Sequence, residues 1–61
     1  MKTITTSLYA VANSSIGSIT ADKEYPVYKI LERKYGRRIV IINDKGVMED
    51  WGVDFFTFIQ R

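Results

Sequence analysis

The stretch Arg37-Arg38-Ile39-Val40-Ile41-Ile42-Asn43, followed at once by Asp44-Lys45-Gly46 and then Val47-Met48-Glu49-Asp50-Trp51, decides the fold class. Ile39 to Ile42 are four consecutive β-branched residues. A short apolar run of that kind, bounded by turn residues, suits a central strand or one buried on both faces. Asn43-Asp44-Lys45-Gly46 reads as a tight hairpin, because Asp favours turn positions and Gly supplies a positive φ. Beyond it, Val47, Glu49 and Trp51 alternate with Met48 and Asp50, which predicts a second strand returning beside the first.

Upstream, residues 25–33 predict a strand. Tyr25 and Val27 fall on one face, Tyr28 and Ile30 on the other. Pro26 cannot donate a ladder hydrogen bond, so it belongs near a strand start or on an edge. Leu31-Glu32-Arg33-Lys34 could add a helical turn, but it is too short to nucleate one alone. Tyr35-Gly36 turns the chain into 37–43. Residues 3–12, TITTSLYAVA, predict the first strand. Asn13-Ser14-Ser15, Gly17-Ser18 and Asp22-Lys23 mark the loop after it. Downstream, Gly52-Val53-Asp54 reads as a single helical turn and residues 55–59 as a fifth strand. Five short strands with brief turns predict an all-β chain, a small closed or nearly closed barrel. Closure matters because open edges invite aggregation.

The chain has 61 residues, no Cys and no His, and a net charge of +2. That length allows one domain, spanning 1–61, which is marginal when alone. Disulfides are excluded and a structural zinc site lacks its usual ligands. Stability is therefore expected from packing, helped by self-association into a homodimer through an edge strand or the Met48 region. The expected core is Ile4, Leu8, Tyr9, Val11, Ile16, Ile19, Tyr25, Val27, Ile30, Ile39, Ile41, Val47, Trp51, Phe55, Phe56 and Phe58. No segment has the roughly 20 apolar residues that span a membrane. The first residues carry no apolar signal core, so a cytoplasmic location is the expectation.

The pattern resembles a group of small proteins, many encoded by bacteriophages, that adopt an SH3-like five-stranded barrel. The matching residues are the opening Asp22-Lys23-Glu24-Tyr25-Pro26-Val27, the turn Ile41-Ile42-Asn43-Asp44-Lys45-Gly46, the aromatic Trp51, and a late Phe at 55 or 56. Asp22 stands where the group prefers Gly. The likeness runs from about Leu8 to Ile59, and its motifs concern folding. It implies an SH3-like barrel, and a phage setting in which the chain binds and modulates a host protein, as inhibitor or counter-defence factor. Fold alone does not fix function.

Charge is unevenly distributed. Residues 29–45 hold Lys29, Arg33, Lys34, Arg37, Arg38 and Lys45 against Glu32 and Asp44, a net +4. Residues 46–60 hold Glu49, Asp50 and Asp54 and no basic residue. Met48, Glu49, Asp50 and Asp54 therefore form a candidate protein-binding set, an apolar side chain ringed by carboxylates. Trp51 at its centre is expected in the core. Arg33, Lys34, Tyr35, Arg37 and Arg38 form the alternative, a nucleic-acid-binding hairpin in which cations meet phosphates and Tyr35 stacks on a base. The plain reading of the same residues is a solvated hairpin tip, and a net charge of +2 is small for a dedicated nucleic-acid binder. A third reading is sequestration of a nucleotide at a subunit interface. Tyr9, Tyr28 and Tyr35 exceed what so small a core needs, so an aromatic groove for Pro-rich peptides is also considered.

Catalysis is not expected. The serines have no imidazole base, there is no Gly-rich phosphate loop, and a chain this small has little room for a pocket of about 300 Å³. Asp44, Glu49, Asp50 and Asp54 lack the spacing of a calcium loop. No cofactor is implied.

Overall fold

The computed structural model describes residues 7–61. It is a small five-stranded SH3-like barrel: β1 (Leu8–Ala12), β2 (Glu24–Arg33), β3 (Gly36–Ile42), β4 (Met48–Gly52), a 3-10 turn (Val53–Phe55) and β5 (Phe56–Gln60). The expected elements are present to within a residue or two at each boundary. For the first strand, residues 3–6 and the core candidate Ile4 lie outside the described residues. The Leu31–Lys34 stretch continues β2 to Arg33 instead of forming a helical turn.

All ladders are antiparallel, in the order β4-β3-β2-β1-β5. Among the described residues no ladder joins β4 to β5. The 3-10 turn bridges that gap, so the barrel is nearly but not fully closed. β2 changes partner along its length. Its ladder to β1 ends at Pro26, opposite Tyr9, and its ladder to β3 begins at Val27, opposite Ile41. The missing N–H of Pro26 therefore falls at the change of partners.

The expected faces of β2 need one correction. A bulge lies between Val27 and Lys29: these two residues face Ile41 and Val40, so Tyr28 is an extra residue. A bulge resets the alternation of side chains. Ile30 consequently sits opposite buried Ile39, on the inner face with Tyr25 and Val27, and not with Tyr28.

The core is Ala10, Ala12, Ile19, Tyr25, Val27, Ile39, Ile41 and Phe56, with Leu8, Trp51 and Val53 packed against it. Tyr9 and Val11 point outward instead, and the two alanines take the inner positions of β1. The register explains this. Ala10 lies between Tyr25 and Phe58, and Ala12 lies opposite Phe56. Small residues beside large ones let the two layers interdigitate at native density. Ile16, Ile30, Val47, Phe55 and Phe58, expected inside, are exposed.

The loop from residue 13 to 23 is tied to the β3–β4 hairpin. Asp44 Oδ1 accepts from Lys23 Nζ at 2.8 Å and from the Tyr25 hydroxyl at 2.7 Å, while Oδ2 accepts from Thr20 Oγ1 at 2.7 Å. The Asp44 amide donates to the Ser18 carbonyl at 2.9 Å. Hydrogen bonds from Lys23, Thr20 and Tyr25 hold the Asp44 carboxyl at about 2.

Candidate functional site

Two surfaces carry the residues singled out from sequence. The first is a groove of about 590 Å³ between the β2–β3 hairpin and the 3-10 turn. Arg33, Tyr35, Gly36, Arg37 and Arg38 line one wall, and Gly52, Val53, Asp54 and Phe55 line the other. This is roomier than expected for so short a chain, because the groove lies outside the core, where the hairpin overhangs the turn. Tyr35 stands at the tip, 94% exposed, with the Lys34 ammonium 5.8 Å from its ring centroid. Gly36, with φ 137°, allows the sharp return of the chain.

The groove's charges are largely compensated. Arg37 Nε donates to Glu32 Oε1 at 2.9 Å, and Arg38 Nε donates to Asp50 Oδ2 at 2.7 Å. That hydrogen bond from Arg38 lowers the pKa of Asp50. Asp54 adds a carboxylate to the wall. Among the described residues, Arg33 and Lys34 have no ion-pair partner.

Adjoining the groove, and sharing Arg37 and Val53 with it, is an apolar cleft of about 280 Å³ lined also by Leu8, Ile30, Ile39 and Phe58. It opens at the end of the barrel. Ile30, turned inward by the bulge yet 49% exposed, forms part of its wall. Sequence reasoning missed this cleft, since the bulge that places Ile30 there leaves no mark in the alternation.

The second surface is β4. Its register separates the acidic set. Met48 lies opposite Ile42 and Asp50 opposite Val40, both on the outer face, while Glu49 and Trp51 lie opposite buried Ile41 and Ile39. Glu49 Oε1 accepts from Trp51 Nε1 at 2.6 Å and from the Ser18 hydroxyl. These two bonds, the one from Ser18 first, lower the Glu49 pKa. Trp51 meets Phe55 edge-on, with centroids 5.3 Å apart, and packs against the core. Met48 and Asp50 thus share a face, Glu49 fastens the loop, and Asp54 belongs to the groove.

The four carboxylates weighed as metal ligands do not converge. No group of three acidic side chains among the described residues is arranged to hold an ion. No helix among them is long and apolar enough to cross a membrane.

No family model matches the chain. None of the curated proteins compared with it matches, and none of the solved structures does either.

Proposed function

We propose that the chain is a small non-enzymatic binding module that docks a protein partner in the groove between the β2–β3 hairpin and the 3-10 turn. The observation that carries this reading is the continuity of that groove with an apolar cleft through Arg37 and Val53. An apolar side chain of the partner enters the cleft. Its flanking polar groups meet Arg33, Tyr35 and Asp54. Binding of this type concentrates its energy in a few desolvated anchors ringed by polar contacts. The resemblance to phage-encoded barrels supports a bacterial host protein as the partner, with the chain modulating its activity.

A second reading, nucleic-acid binding, has its own support. Four of the five residues of the basic hairpin line one groove, and the fifth, Lys34, stands beside Tyr35. The carboxylates of Glu32, Asp50 and Asp54 among them weigh against it, because they repel phosphates and already hold two of the guanidiniums.

The test is capture from a bacterial lysate on immobilised chain, with and without nuclease. Wild type is compared with the double variant Arg33→Glu, Tyr35→Ala. Tyr35 is exposed and Arg33 unpaired, so the variant keeps its fold. Retention of a discrete protein by wild type after nuclease, and its loss with the variant, supports the protein-docking reading. Retention of nucleic acid, or of proteins released by nuclease, moves the second reading forward. Empty capture with a thermal shift on adding a nucleotide supports small-ligand sequestration instead.

A further inference from the structure

We propose that the outer face of the β2–β3–β4 sheet is a self-association surface, on which a second copy of this chain packs about a two-fold axis running along β3. The register fixes which side chains share this face. Ile39 and Ile41 are buried, so Val40 and Ile42 project outward, each with its lateral neighbours. One row across the sheet is Lys29–Val40–Asp50, and the next adds Ile42 and Met48. Val40, Ile42 and Met48 keep partial exposure on the outside of the barrel, and Tyr28, displaced by the bulge, adds its ring at the edge, 51% exposed.

The charge pattern selects the occupant and its orientation. The row Lys29–Val40–Asp50 is positive on the β2 flank, apolar at the centre and negative on the β4 flank. Two sheets stacked face to face and related by rotation about β3 place the β2 flank of one over the β4 flank of the other. Lys29 then faces the second copy's Asp50 twice, and Val40 meets its own symmetry mate. An isologous interface needs this self-complementarity. Rotation about an axis across the strands would stack the unpaired Lys29 on Lys29 and is disfavoured. The strands of the two sheets run nearly aligned, the usual arrangement for stacked sheets. Lys29 has no ion-pair partner among the described residues, so it is available to the second copy. Arg38, the one charged group near the axis, pairs with Asp50 through Oδ2, which leaves Oδ1 for the second copy's Lys29.

Sedimentation velocity and light scattering of the full chain over a concentration series provide the test. Wild type is expected to dimerise in the micromolar range. Val40→Glu sets two carboxylates against each other at the axis and should weaken dimerisation at least about tenfold. Lys29→Glu alone and Asp50→Lys alone should each do the same, since each opposes like charges at both flanks. An equimolar mixture of those two variants should form a heterodimer, because every crossing pair is then of opposite sign. Circular dichroism checks that each variant is folded, and Lys29→Glu, at an exposed position, keeps the test valid if Val40→Glu is not. A wild type that stays monomeric to about 1 mM would overturn the proposal. So would a dimer that these substitutions leave intact, or variants that do not associate when mixed.

Discussion

Asp44 is the residue on which most of the loop's order converges. Its carboxyl is held at about 2, below the ordinary 3.8, by the hydrogen bonds from Lys23, Thr20 and Tyr25. A carboxyl depressed on folding contributes stability that is complete above about pH 4 and lost as the pH falls through about 2. The melting temperature should therefore drop between about pH 5 and pH 2, and Asp44→Asn should start lower and lose less over that range. Asn43, 8% exposed, accepts the amides of Lys45 and Val47 through its side-chain oxygen, at 2.9 and 3.1 Å. Asn43→Ala should cost about 1–2 kcal/mol in denaturant unfolding, because both amides lose that acceptor. Among the described residues, Asp22 is the one non-Gly residue with positive φ, at 68°. Gly adopts such a backbone without steric cost. Asp22→Gly should raise stability, by up to about 1 kcal/mol, as the left-handed conformation becomes unstrained.

At the scale of the elements, the bulge in β2 does most to shape the candidate site. It carries the strand from β1 to β3, and it turns Ile30 toward the apolar cleft while leaving Tyr28 outside. Ile30→Ala should weaken partner capture, because Ile30 lines the apolar cleft, whereas Tyr28→Ala, which lines neither the cleft nor the groove, should leave capture unchanged. Capture by the two variants checks the assignment of faces, and equal effects would contradict it. The turns and the β3–β4 hairpin were legible in sequence because Asn43, Asp44 and Gly46 each have a local reason to be there. Gly46 takes φ 77°, as the turn reading requires. The inward placement of Ala10 and Ala12 was not legible. Alternation in LYAVA favours burial of the larger Tyr9 and Val11, and only the facing Tyr25, Phe56 and Phe58 make the small residues on Leu8's face the better fit.

On the scale of the whole molecule, the opposed charges of the sequence resolve into ion pairs. The basic and acidic stretches meet at Arg38 and Asp50, and Arg37 is answered from β2 by Glu32. A groove so compensated should bind with shallow salt dependence. Raising salt from about 50 to 200 mM should weaken partner binding less than about tenfold, far below the 10³–10⁵ lost by proteins making 6–10 phosphate contacts. A titration of the captured partner at two salt concentrations measures this directly.

The sequence by itself determined the all-β class, the turns, the helical turn before the last strand, and, through the lack of Cys, that no disulfide forms. These follow from local rules: which residues tolerate a turn, which suit a pleat, and which are missing altogether. The tertiary structure decided how the charged side chains pair, where the bulge resets the faces of β2, and how the hairpin and the turn after β4 come together as one groove. Those outcomes depend on contacts between residues far apart in the chain. Register across strands, not order along one, brings Arg38 to Asp50 and sets Val53 beside Ile30.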